Sequence, residues 1–154
     1  MNAIPNEKIS RIKVELQTAT PERAPQTQGD NNPIAGDDSW IYLGLAGREF
    51  WCAPRSMAAG KTDTIVFGDD ATANNAPAND PRTLDLAAIA RYPGYIRFAP
   101  RTSDQWCVER VQVTVETASK RYPLTSETLE GEAVLWLGQH SGYYLHLDTF
   151  SVKV

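Results

Sequence analysis

At 154 residues the chain fits one domain and is long enough to bury a core without disulfides or a metal to hold it together. Its 15 Lys and Arg are scattered among 19 Asp and Glu, for a formal net charge of −4. That balance argues against the clustered basic surface with which a nucleic-acid binder displaces phosphate counterions, and it repels an anionic membrane unless a local patch or a bridging cation intervenes.

The opening "MNAIPNEKIS" has no apolar h-region of a secretory signal, and no run approaches the ~18 apolar residues of a membrane-spanning helix, so a cytoplasmic protein without a transmembrane segment is expected. Residues 1–8 read as a flexible tail and 9–154 as a single domain. "RIKVELQT" (11–18) alternates, with Ile12, Val14 and Leu16 on one face and Lys13, Glu15 and Gln17 on the other, which predicts a half-buried strand. A polar, Pro-punctuated loop follows. "WIYLGLAG" (40–47) alternates again, and "REFWC" fits as its hairpin partner, with Ala46-Gly47 near the turn.

"DTIVFG" (63–68) is a short strand and "ATANNAPANDP" (71–81) a second long loop. "RTLDLAAIA" reads as a strand running into a helical turn, and "YIRFA" (95–99) as a strand closed by Pro100. In "WCVERVQVTVET" (106–117), Val111, Val113 and Val115 alternate while Trp106 and Val108 are out of phase, which predicts a bulge near Glu109-Arg110. "RYPL", "AVLWLG", "YYLHL" and "TFSVKV" complete the series, and only "LDLAAIARY" has helical character. The expected fold is all-β: an antiparallel two-sheet β-sandwich of about eight strands with little helix.

"GDDSWIYLGLAG" resembles the second-strand motif of PLAT/LH2 (lipoxygenase homology) domains, with Gly36, Asp38, Ile41, Leu45 and Gly47 at matching places and Asp37 where the family has Thr. "WCVERVQV" is similar to a second family strand through Trp106, Val108, Val111 and Val113, and "KRYPL" followed by "LWL" resembles its closing segment. The likeness spans residues 10–138. It departs at Ala99-Pro100, where the family often carries a His-Asp pair, in the insertion at 71–81, and in the tail after Leu137. The resemblance implies a non-catalytic sandwich that engages a protein partner or lipid headgroups through loops at one end, in some members with Ca²⁺.

That implication gives the acidic loops a role. Asp38 carries over from the motif, and Asp37, Asp69, Asp70 and Asp104 would complete a weak Ca²⁺ site if their loops converge, since the ion needs six to eight oxygens. The competing reading of the twin Gly-Asp-Asp triplets at 36–38 and 68–70 is ordinary turn chemistry. Of the four tryptophans, Trp106 and Trp136 fall in core motifs. Trp40 and Trp51 are out of phase with the apolar face or at a strand end, which makes them candidates for partner binding.

Other signals are weaker. "AGKTDT" (59–64) mimics the end of a phosphate loop, but Arg55 stands where that motif needs glycine and a strand follows in place of a helix. His146 and Asp148 share a strand face without a third ligand, and neither they nor His140 has a nucleophile context nearby. Cys52 and Cys107 sit in apolar runs and read as buried free thiols; the alternative is a single disulfide, which requires an oxidising compartment and a pair brought close by the fold. The sequence therefore points first to a non-enzymatic binding module. The alternatives are an inhibitor or immunity protein for a toxin, a carbohydrate-binding module if Trp40, Trp51 and Tyr143 form a flat exposed strip, and a small enzyme using the tail "GQHSGYYLHLD".

Overall fold

A computed structural model describes residues 5–24, 39–52, 57–73, 77–100, 105–129, 133–138 and 141–148. Among the described residues nine strands form two antiparallel sheets, so the expected all-β sandwich is the observed fold. The first sheet runs in the order β4 (Thr62–Gly68), β1 (Arg11–Thr18), β6 (Trp106–Glu116), β7 (Arg121–Leu124), with β8 (Leu135–Leu137) also paired to β6. The second runs β3 (Arg48–Cys52), β2 (Trp40–Leu45), β5 (Gly94–Ala99), β9 (Tyr144–Leu147).

The alternation read from the sequence becomes the core. Ile12, Val14 and Leu16 of β1, Ile41 and Leu43 of β2, and Val113 and Val115 of β6 are fully buried between the sheets. Burying each such side chain contributes about 1.5–3 kcal/mol. Two aromatic pairs tie the layers together: Phe50 lies 5.4 Å from Phe67, and Phe98 lies 5.9 Å from Trp106. The Trp106 indole N–H donates to the Thr18 hydroxyl at 2.8 Å, so its one polar atom stays satisfied in the interior.

The β2–β3 hairpin turns at Ala46-Gly47, both with positive φ (56° and 77°), the geometry that suits a tight two-residue turn. The predicted bulge is present: Gln17 pairs with Arg110 and Thr18 with Val108, leaving Glu109 as the extra residue. Glu109 uses its displaced position to bond Gln17 Nε2 and Arg23, each at 2.7 Å.

Three expectations are adjusted. "RTLDLAAIA" forms no strand: Pro81–Thr83 is a 3-10 turn capped by Asp80, and Leu86–Arg91 is the one α-helix among the described residues, α1. Of the segment 1–8 read as a tail, residues 5–8 are described, and they meet α1. Leu86 N–H donates to Glu7 O at 2.9 Å, Ala87 N–H to Asn6 Oδ1 at 3.0 Å, and Lys8 bridges to Asp85, so a distant segment caps α1. The loop at 71–81 is partly ordered by Arg48, whose guanidinium donates to the carbonyls of Pro77, Ala78 and Asp80. "TFSVKV" lies outside the described residues.

Candidate functional site

The strand order of the second sheet decides what its outer face presents. Register places Trp51, Tyr42, Arg97 and Tyr144 in one row across β3, β2, β5 and β9, and Glu49, Gly44, Tyr95 and His146 in the next. Trp40 stands one step further along β2, opposite Ala99. Alternation sends all these side chains away from the core, because their neighbours Ile41, Leu43, Ile96 and Leu145 point inward and are buried.

Trp40 and Trp51, the partner-binding candidates, are 46% and 36% exposed and meet edge to face at 6.2 Å. Trp40 also meets Tyr42 at 6.5 Å. Their planes are inclined by 60°, so the indoles form a corner and not a single flat strip. At the other side of the face, Tyr144 lies 5.2 Å from Tyr95 and stacks on His146 at 6.3 Å.

Arg97 joins the two clusters. Its guanidinium sits 4.3 Å from the Tyr42 ring centre and grips Glu49 with two bonds of 2.7 and 2.8 Å. The Tyr95 hydroxyl donates to the same carboxylate at 2.9 Å. The bonds from Arg97 hold the Glu49 carboxyl below its usual range against a smaller opposing push from partial burial. Partial burial and then the Glu49 carboxylate push the Tyr95 phenol up. Glu49 therefore stays charged and Tyr95 stays a donor.

Asn79 fixes the outer edge. Its side-chain amide accepts from Trp51 N–H at 2.9 Å and donates to Trp51 O at 3.2 Å, so it acts as a missing neighbour strand for β3. Beyond Ala99 the face opens into a hollow of about 250 Å³ lined by Arg97, Phe98, Ala99, Pro100, Tyr143 and Tyr144.

The acidic candidates divide. Asp37, Asp38 and Asp104 lie outside the described residues. Asp69 faces Arg82 at 3.3 Å and Asp70 faces Arg11 at 3.9 Å, so each has a guanidinium partner. The strand ends beside the two Gly-Asp-Asp triplets sit at opposite ends of the sandwich. Ile41 pairs with Phe98, which packs on Trp106 at the start of β6, whereas Gly68 pairs with Arg11 and Arg11 with Glu116 at its finish. The eleven residues of β6 between those ends span roughly 35 Å. No group of three or more potential metal ligands occurs among the described residues.

The remaining candidates resolve individually. His146 belongs to the aromatic face, and the Asp148 carboxylate instead accepts from Glu127 N–H at 3.0 Å; His140 lies outside the described residues. Gly60 leads into strand β4, so "AGKTDT" does not open a helix. Cys52 and Cys107 are both free and buried, in separate clusters: Cys52 in the inter-sheet core and Cys107 under Trp136 and Ala19. Burial raises the Cys52 thiol to about 12 and the Cys107 thiol to about 11. Trp106 and Trp136 are buried, as their core-motif positions imply.

Sequence reasoning missed Tyr42, Glu49, Tyr95, Arg97 and Tyr144 as members of the site. The signal for Tyr42 was present, because a two-residue turn at Ala46-Gly47 sets it opposite Trp51. Among the described residues no helix is long and apolar enough to cross a membrane. No family model, no curated protein and no solved structure matches this chain.

Proposed function

We propose that this chain is a non-catalytic binding module whose recognition surface is the outer face of the four-stranded sheet. One observation carries the reading. The large apolar side chains exposed among the described residues are Trp40, Trp51, Tyr92, Tyr143 and Tyr144, and all but Tyr92 lie on this face or in its hollow. Exposing large aromatics is costly unless something covers them, and a contiguous group on a rigid sheet marks an interaction site. Asn79, Glu49 and Arg97 hold the group in place before any partner arrives, which reduces the ordering cost of binding.

The PLAT resemblance gives the second reading, docking to a lipid or protein surface through end loops with calcium assistance. In its favour, Trp and Tyr rings suit the boundary between water and an apolar phase. Against the calcium part, the Asp69 and Asp70 carboxylates already face arginines.

The test is the Trp40→Ala/Trp51→Ala double variant, offered soluble glycans, phospholipid vesicles and concentrated wild-type protein. Both positions are exposed, so the variant should melt within a few degrees of wild type. It should lose whichever of these the wild type engages. Engagement that survives in the folded double variant contradicts the reading.

A further inference from the structure

Building on that reading of the face, we infer that its ligand is a neutral glycan chain lying across the four strands. Among the described residues the exposed large apolar side chains are Trp and Tyr, without an exposed large aliphatic side chain among them. A lipid-inserting surface adds aliphatic side chains to its rings, whereas a protein hot spot shares the Trp, Tyr and Arg found here and is set apart by its size. A pyranose has a different demand: it presents a patch of C–H bonds on its ring face and a rim of hydroxyls. Aromatic rings take the first, and planar side chains with fixed donors and acceptors take the second.

The face supplies both within bonding reach of each other. Trp40 and Trp51 meet at a corner of 60°, so a sugar stacked on one indole has the edge of the other beside it. Next to them stands a hub of Arg97, Glu49 and Tyr95, preset by three hydrogen bonds of 2.7–2.9 Å. Guanidinium and carboxylate retain donors and lone pairs that neighbouring hydroxyls can use. The hollow of about 250 Å³ at Tyr143 and Tyr144 is smaller than the ~300–1,000 Å³ of pockets for drug-sized ligands, and it fits one ring better than a whole metabolite.

Charge and size narrow the occupant. Glu49 neutralises Arg97, so among the described residues this guanidinium is not a spare cation for a phosphate, a sulfate or an anionic headgroup, and the chain carries −4 overall. Four strands span roughly 14 Å across and Trp40 to Gly44 roughly 14 Å along, a footprint of roughly 200 Å². A stable protein partner needs roughly 800 Å² per side. The angled pair of indoles and the separate Tyr95–Tyr144 pair offer stacking faces to successive rings of a sugar chain.

The experiment titrates the full chain calorimetrically with cellohexaose, xylohexaose, maltohexaose and chitohexaose, beside polygalacturonate and phosphatidylcholine/phosphatidylserine vesicles. At least one neutral hexaose should bind and shift the tryptophan fluorescence, with an affinity that added salt leaves unchanged. Trp40→Ala and Trp51→Ala should each weaken binding about tenfold or more, as for central aromatic anchors. Glu49→Gln should weaken it less, and Arg121→Ala on the other sheet should leave it unchanged. Binding of polygalacturonate or vesicles in place of the neutral hexaoses, or face-to-face dimers, with sensitivity to Trp40 and Trp51, overturns the glycan assignment and leaves the sheet face standing as the recognition surface. Hexaose binding insensitive to both tryptophans overturns both inferences. Absence of binding to all four hexaoses overturns the glycan assignment.

Discussion

The ring of Tyr95 occupies the space a side chain at Gly44 would need: a Cβ built on Gly44 would stand 2.1 Å from the Tyr95 ring. Gly44 lies between β3 and β5, so its missing side chain is the gap through which Tyr95 reaches Glu49 on the far strand. Gly44→Ala must push the ring aside and break that bond. The cost should be about 1–2 kcal/mol, in the range for overpacking, because an outward-facing ring can rotate away. Tyr95→Ala should then cost less in the Gly44→Ala background than in wild type, and denaturant melts of the four proteins measure that coupling. Additive costs would show that the two residues do not compete for space.

Glu49 makes the face sensitive to acid. Its folded-state affinity for protons is lowered from the ordinary value of 4.5, chiefly by the Arg97 bonds. A lowered value means that stability from the charged form is fully present above 4.5 and is lost as pH falls through the lower folded value. The stability gap between wild type and Glu49→Gln should be flat from about pH 6 to 8 and close below about pH 4. With Glu49 partly exposed, the gap itself should be under about 1 kcal/mol. A gap that widens on acidification would contradict the ion-pair role.

Trp106 and Thr18 form the test of the core. Trp106→Ala should cost about 3–5 kcal/mol, as expected for a buried large aromatic. Thr18→Val keeps the volume but strands the indole N–H, at about 1–3 kcal/mol. A Trp106→Ala protein that melts within a degree or two of wild type would place the indole on the surface.

Both cysteines should be silent in the native protein. Burial holds the thiols at about 12 and about 11, and only the thiolate reacts. A thiol reagent at pH 8 should count none in the folded protein and both in guanidinium. A count of none in denaturant would reveal a disulfide.

Local signals carried the strands. The alternation in "RIKVELQT" predicted β1 to the residue, and the phase break between Val108 and Val111 located the bulge. The Ala46-Gly47 turn fixed the β2–β3 register. The helix was harder to read because Asn6 and Glu7, some 80 positions upstream, cap it in place of its own Asp85. The binding face was the least legible part. Trp40 and Trp51 stood out by phase, yet the Arg97–Glu49 grip and the Tyr144–Tyr95 contact exist only because β5 pairs with β2 and β9 with β5. Those pairings join segments about 50 residues apart, and alternation says which side a residue faces but not which strand lies beside it.

The most direct measurement is a map of backbone amide shifts in the labelled protein during titration with the neutral hexaose that binds. The outward residues of β2, β3, β5 and β9, centred on Trp40, Trp51 and Arg97, should shift together, while β1, β4 and β6 stay still. Shifts centred on the five-stranded sheet, or on the loop after Gly68, would contradict the assignment of the aromatic face as the recognition surface.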